Sequence, residues 1–175
     1  AGTTGHWQFV SRKATPEPGP SPLQSDAAVI IPVHAETNKI VVIREFRVSL
    51  GDYEWSFPAG LPDGEEDMET VARRELKEET GLEVTKVIRI SPPVVGSAGL
   101  SDETATMIYV ECTGEISDKG LEETEDIQAY LYDLTELRAL LADDSRKKSV
   151  RLFTTGLMFD FAGRISFPKE RDVKP

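Results

Sequence analysis

The chain has 175 residues, 39% of them hydrophobic, and a formal net charge of −11. That length and apolar content suit one domain with a real core. The acidic balance argues against a nucleic-acid partner, whose phosphates need basic patches, and no run of about 18 apolar residues is present to span a membrane.

A single cysteine, Cys112, excludes an intrachain disulfide and a Cys-rich zinc site. With no apolar leader at its start, the chain is expected to work in a reducing, cytoplasmic setting. A small anionic substrate remains compatible with the charge, provided that local arginines or bound cations override the overall field.

In chain order, HWQFVSRK (His6–Lys13) alternates Trp7, Phe9 and Ser11 with polar neighbours, which predicts a strand. ATPEPGPSP (Ala14–Pro22) is too Pro-rich for helix or central strand and reads as a linker. Residues 1–25 are therefore expected to form a strand arm with its linker, and 26–175 the folded domain. AAVIIPVH (Ala27–His34) and KIVVIREF (Lys39–Phe46) flank AETN and predict a hairpin. FPAGLPDGEED (Phe57–Asp67) is a Gly/Pro-rich loop feeding a helix, and Gly81 marks that helix's end. VTKVIRI (Val84–Ile90), ETATMIYVEC (Glu103–Cys112) and AYLYDL (Ala129–Leu134) read as further strands. LTELRALLADD (Leu134–Asp144), capped by Asp133 or Thr135, and KKSVRLFTTGLMFDFAG (Lys147–Gly163) read as helices. Val150, Phe153, Thr154, Leu157, Met158 and Phe161 follow helical spacing and are expected to face the core. The chain is mixed α and β.

The first helix carries the chemistry. Met68, Val71, Ala72 and Leu76 begin an apolar side, but Glu75, Glu78 and Glu79 stand where it should continue. Residues three and four apart share a helix face, so these like charges repel. Arg73, Arg74 and Lys77 offer partial relief, and an ordinary solvated, salt-bridged helix is one reading. The other is that the carboxylates hold a divalent cation. Oxygen donors at this density suit Mg²⁺ or Mn²⁺, and the lack of nearby His and Cys speaks against zinc.

The stretch GLPDGEEDMETVARRELKEETGL (Gly60–Leu82) resembles the Nudix box, G-x5-E-x7-R-E-U-x-E-E-x-G-U, at every defined position. Those positions are Gly60, Glu66, Arg74, Glu75, Leu76, Glu78, Glu79, Gly81 and Leu82. The resemblance implies an α/β/α sandwich with a mixed sheet and a hydrolase of nucleoside diphosphates linked to a further group, dependent on Mg²⁺ or Mn²⁺. DAAVIIPV (Asp26–Val33), IREFRVSLGDYEWSFPAGL (Ile43–Leu61), SAGLSDE (Ser97–Glu103) and HWQFVSRK are similar to the ADP-ribose/ADP-sugar pyrophosphatase branch. The likeness covers roughly residues 6 to 134.

Carried over by that likeness, Glu75 and Glu79 are the principal metal ligands, with Glu78 supporting them. The Ala59 carbonyl is a further ligand, Glu66 adds to the acidic cluster, and Arg74 orients the carboxylates. Arg47 meets the diphosphate or terminal sugar, where a guanidinium fork matches phosphate oxygens. Trp7 stacks on the adenine and Arg12 lies beside it, while Leu61 and Gly99 line the substrate site. The arm reaches a second subunit, which implies a homodimer. Read without the family, Trp7 suits a core position equally well and Arg47 a strand-end surface.

The branch keeps its catalytic base on an acidic loop, here SDKGLEETEDI (Ser117–Ile127). Glu123 matches the water-activating position and Glu125 an additional metal ligand, although the two roles can exchange and Glu122 and Asp126 stay open. The implied reaction is metal-assisted hydrolysis of ADP-ribose or a related nucleoside diphosphate sugar to a nucleoside monophosphate and a sugar phosphate. Ser97-Ala98-Gly99 stands where the branch has Ser-Pro-Gly, which favours a wider range of sugars. Hydrolysis of other nucleoside diphosphate conjugates or dinucleoside polyphosphates, and a non-catalytic ADP-ribose sensor, are the alternatives.

Overall fold

AAVIIPVH forms a strand whose eight residues are all buried. A continuous apolar strand of this kind needs a covering layer on both faces of its sheet, and the rest of the chain supplies both. The computed structural model describes residues 4–16 and 23–167. In chain order its elements are β1 (Ala27–His34), β2 (Lys39–Arg47), β3 (Asp52–Ser56), β4 (Ala59–Gly60), α1 (Met68–Thr80), β5 (Glu83–Ile90) and β6 (Val94–Val95). Then follow β7 (Thr104–Thr113), β8 (Ile127–Tyr132), α2 (Leu134–Ala142), β9 (Lys147–Lys148) and α3 (Val150–Ala162).

The main sheet runs β5-β7-β1-β2-β3-β9, with β4 beside β1, β6 beside β7 and β8 beside β2. β1 is parallel to β7, pairing Ala27 with Ala105 and His34 with Cys112, and antiparallel to β2, so the sheet is mixed. Alternate residues of β1 serve opposite layers. Val29, Ile31 and Val33 pack with Leu137, Leu140, Leu152 and Phe159 of α2 and α3. Ala28 and Ile30 pack with Val71, Ala72 and Leu76 of α1. The expected α/β/α sandwich forms. Cys112 is buried in the α1 layer, and burial pushes its thiol up to about 12. Among the described residues no helix is long and apolar enough to cross a membrane.

The helix boundaries follow local chemistry. The Asp67 carboxylate accepts the Thr70 amide at 2.8 Å at the start of α1, and Gly81 closes it at φ 78°, a left-handed stop. Asp133, rather than Thr135, caps α2, in a reciprocal box with Glu136.

Two expectations need correction. HWQFVSRK is not a strand: it makes one isolated bridge, Val10 to Ser101, with the Val10 amide donating to the Leu100 carbonyl at 2.8 Å. Among the described residues the arm is outside the sheet, and beyond that single bridge its backbone has no strand to pair with. The face of α3 is also different. Val150, Phe153, Thr154, Met158 and Phe161 are exposed and Leu157 is only half-buried, while Leu152, Thr155, Gly156 and Phe159 face the core. The Ser149 amide donates to the Trp55 carbonyl at 2.9 Å and fixes the helix entry. Gly156 then lets α3 approach Leu141 of α2, which a Cβ there would meet at 3.0 Å. Close helix contact selects the small-residue face over the more hydrophobic one. Linker residues 17–22 lie outside the described residues.

Candidate active site

The Nudix-box stretch wraps α1 against β4, and both open into a cavity of about 770 Å³. Its lining combines Glu45, Glu75, Glu78, Glu79, Glu122 and Glu125 with Arg12, Arg47, Arg74 and Arg151. An apolar cavity of about 680 Å³ between β5, β7 and α3 has no carboxylate in its lining and offers no comparable chemistry.

Gly60 makes the close approach possible. A Cβ on it would lie 1.8 Å from the Glu75 carboxyl carbon, so a larger residue would evict that side chain. One residue earlier, the Ala59 amide donates to Glu79 Oε2 at 3.2 Å. Glu79 is only 5% exposed, and burial, reinforced by the Glu45 and Glu75 carboxylates, pushes its pKa well above the ordinary carboxylate value. Burial also raises Glu75, against the lowering effect of Arg74.

Arg74 is the knot of the cluster. Its Nη1 donates to Glu75 Oε1 at 2.8 Å and Glu78 Oε2 at 3.0 Å, while Nη2 reaches Glu66 Oε2 and the Leu61 carbonyl, each at 2.9 Å. Nε completes a two-pronged contact with Glu66 at 3.2 Å, and this holds the Glu66 carboxyl below its usual value. Among the described residues no three acidic, His or Cys side chains are gathered as a ready-made metal site. Arg74 occupies the space between the carboxylates. The donor set nevertheless fits a hard cation: it is oxygen-only, and the buried Glu79 carboxyl, whose charged form burial and the neighbouring carboxylates disfavour, would be relieved by a positive ion.

The sequence reading missed Glu45. It lies two residues before Arg47 on β2, hence on the same face, and meets Arg47 Nη1 at 2.6 Å. Glu54, opposite Glu45 on β3, lies 3.8 Å from Arg47 Nε. Burial raises the Glu45 carboxyl, with Arg47 opposing. The period-two placement of Glu45 and Arg47 in IREFR was the available signal.

The other candidate residues divide. Arg12 lines the cavity and pairs with Glu103 at 3.3 Å, while Ser11 donates to Asp102 at 3.0 Å, so the arm docks on the SAGLSDE loop. Leu61, Ala59 and Arg47 line the cavity as well. Glu66 stands behind Arg74, off the lining. Trp7 is 76% exposed and, like Gly99, does not reach the cavity. In the acidic loop, Glu122 and Glu125 face the cavity, whereas Glu123 is exposed and away from it. The Glu125 carboxylate accepts the Glu122 amide at 2.9 Å. The loop is tied to the sheet by the Phe46 amide donating to the Asp126 carbonyl at 3.0 Å and by Tyr53 Oη donating to the Asp126 carboxylate.

The chain is similar to known proteins. The ADP-sugar pyrophosphatase of Mus musculus is 36% identical over 117 residues, covering 65% of this chain and 51% of its own length. The ADP-ribose pyrophosphatase of Saccharomyces cerevisiae is 32% identical over 102 residues, covering 55% of this chain and 44% of its own. The chain thus spans about half the length of these relatives. A crystal structure of an ADP compounds hydrolase superposes with a TM-score of 0.62 at 24% identity, covering 82% of this chain and 77% of that one, a likeness of fold. The NUDIX domain profile matches residues 24–153, most of the chain and all of the carboxylate cavity's α1 wall, and the chain belongs to the NUDIX domain family.

Proposed function

We propose that this chain hydrolyses the pyrophosphate bond of ADP-ribose or a related nucleoside diphosphate sugar, giving AMP or another nucleoside monophosphate and a sugar phosphate. The observation that carries the reading is the buried Glu79 carboxyl beside those of Glu45 and Glu75, in a cavity that also holds arginines suited to phosphate. The names of the mouse and yeast relatives support the substrate class.

Glu75 and Glu79 would hold Mg²⁺ or Mn²⁺, with Glu78, Glu66, Glu125 and the Ala59 carbonyl as supporting oxygens. Such an ion supplies Lewis acidity and neutralises the diphosphate. The chain's own groups do the rest. Arg47, steadied by Glu45 and Glu54, orients the diphosphate. Arg74 sets the directions of Glu66, Glu75 and Glu78. A loop glutamate takes a proton from the attacking water; Glu125 has the better placement because it faces the cavity, and Glu123 is the alternative. The water oxygen bonds to one phosphorus, the bridging P–O bond breaks, and the second phosphate leaves with its sugar. The exposed Trp7 is suited to stack on adenine in the site of a second copy, which makes a homodimer part of the proposal. The buried, unreactive Cys112 is consistent with a reducing compartment.

The test is release of AMP or other nucleoside monophosphate with Mg²⁺ from ADP-ribose, ADP-glucose, UDP-glucose, ATP and a dinucleoside polyphosphate. Preference for ADP-sugars supports the proposal. Comparable rates on UDP-sugars would widen it, and binding of ADP-ribose without turnover of any substrate would overturn it in favour of a sensor.

A further inference from the structure

Arg151 lies in the first turn of α3 and lines the same cavity as the carboxylates of α1. Its position does nothing for the helix, because a cation near a helix N-terminus meets the positive end of the macrodipole. The other three cavity arginines are committed: Arg12 to Glu103, Arg47 to Glu45 and Glu54, and Arg74 to Glu66, Glu75 and Glu78. The Arg151 guanidinium makes neither an ion pair nor a side-chain hydrogen bond among the described residues. It rests on Gly96, where a Cβ would stand 2.9 Å from Nη2, so the missing side chain of Gly96 makes its seat.

The strand register locates this seat. Val29 pairs with Ala59 at the metal end, Ala27 pairs with Ala105, and the Gly96 amide donates to the Glu103 carbonyl two residues further on. Four residues of strand separate the two levels, about 13 Å at the usual rise. Among the described residues, this half-buried guanidinium has no counter-ion while the cavity's other arginines are paired, so an incoming anion can meet it without breaking a pair seen there.

We infer that Arg151 is a substrate-binding residue whose guanidinium pairs with a phosphate group of the nucleotide substrate. This rests on the hydrolase reading above for the nature of the substrate. The phosphate is either part of the diphosphate itself or an additional phosphate carried at the far end of the molecule.

The experiment compares wild type, Arg151→Ala, Arg151→Lys and Gly96→Ala. Steady-state kinetics are run on ADP-ribose and on ADP-ribose 2′-phosphate, and calorimetric binding of ADP and of inorganic pyrophosphate is measured without turnover. Losing one charge-assisted contact should raise KM about 10- to 100-fold with kcat little changed. The lysine variant should recover part of the loss, and added guanidinium should partly rescue the alanine variant. Gly96→Ala keeps the charge but crowds its seat and should raise KM in the same direction. A KM effect on both substrates assigns Arg151 to the diphosphate; an effect on the 2′-phosphate alone assigns it to the additional phosphate. Unchanged KM for both substrates and unchanged binding of ADP and pyrophosphate would overturn the inference, as would a shift in melting temperature without a shift in affinity. If wild type turns over neither sugar diphosphate, the hydrolase reading fails, and binding of ADP, pyrophosphate and ADP-ribose 2′-phosphate to wild type against Arg151→Ala still decides the role of Arg151: weaker binding of any of them supports it, and unchanged binding of all three overturns it.

Discussion

The Glu75 carboxyl carbon occupies the place that a side chain on Gly60 would take, 1.8 Å from an ideal Cβ. The glycine is therefore part of the site rather than of the turn alone. Because the clash is with the far end of a flexible side chain, Gly60→Ala should displace the carboxylate and leave the backbone in place. The expected outcome is a shift in stability below about 1 kcal/mol with Mn²⁺ affinity reduced at least about tenfold. Calorimetric Mn²⁺ titration beside thermal denaturation checks both halves, and retained affinity would remove Glu75 from the ligand set.

Glu79 gives a pH dependence of definite sign. Its folded-state pKa is raised, mainly by burial, so between the ordinary carboxylate value near 4.5 and the raised value the folded chain binds more protons than the unfolded one. The metal-free protein should thus lose stability as pH rises through that window, and Glu45 and Glu75, also raised, add to the slope. Glu79→Gln should flatten the profile and melt higher than wild type at neutral pH in a chelator, while turnover is abolished. Mg²⁺ should stabilise wild type increasingly as pH rises, since binding displaces the same protons. Melting temperature against pH, with and without metal, reads all three.

The two predictions divide what the sequence could say from what it could not. Glu75, Glu78 and Glu79 were legible because helical spacing puts them on one side of α1, and the structure brings them to one cavity. Gly60 and Glu66 came from the motif. Glu45 was legible in principle, two residues from Arg47, but a strand's alternation does not say which face meets a helix across the sheet. The exposed side of α3 was misread for a related reason: Val150, Phe153 and Phe161 carry more apolar surface than Thr155 and Gly156, yet close contact with Leu141 decides the rotation. The N-terminal arm is not a strand because alternation predicts a pleat and cannot supply a partner edge.

Arg74 should prove structural and functional at once. It holds three carboxylates and the Leu61 carbonyl, so Arg74→Ala leaves Glu66, Glu75 and Glu78 facing one another without a counter-charge. Loss of charged hydrogen bonds of this kind costs about 2 kcal/mol, measurable by urea denaturation in a chelator. Arg74→Lys should restore only part, because an ammonium cannot make the two-pronged contact with Glu66. Saturating Mg²⁺ should narrow the stability gap for both variants by taking over the charge neutralisation. A gap unchanged by metal would mean that cation and arginine act on different carboxylates.

The acidic loop separates two glutamates that sequence spacing alone left interchangeable. Glu125 faces the cavity and holds the Glu122 amide, and its charge raises the carboxyl groups of Glu45, Glu75 and Glu79, whereas Glu123 is exposed outside it. A general base must come within hydrogen-bond reach of the water it deprotonates, and removing one typically costs about 10²- to 10⁴-fold. Glu125→Gln should therefore lower kcat by that order, with KM for ADP-ribose changed far less. Glu123→Gln should leave kcat within about threefold, since its carboxylate is solvated. Stopped-time assays across pH add a second readout: loss of the acid limb of the kcat profile in Glu125→Gln marks a lost base, whereas a uniform drop with weakened Mn²⁺ binding marks a lost ligand. If Glu123→Gln takes the larger loss, the loop must close further over the cavity in the working enzyme, and the base belongs to the residue that closure brings in.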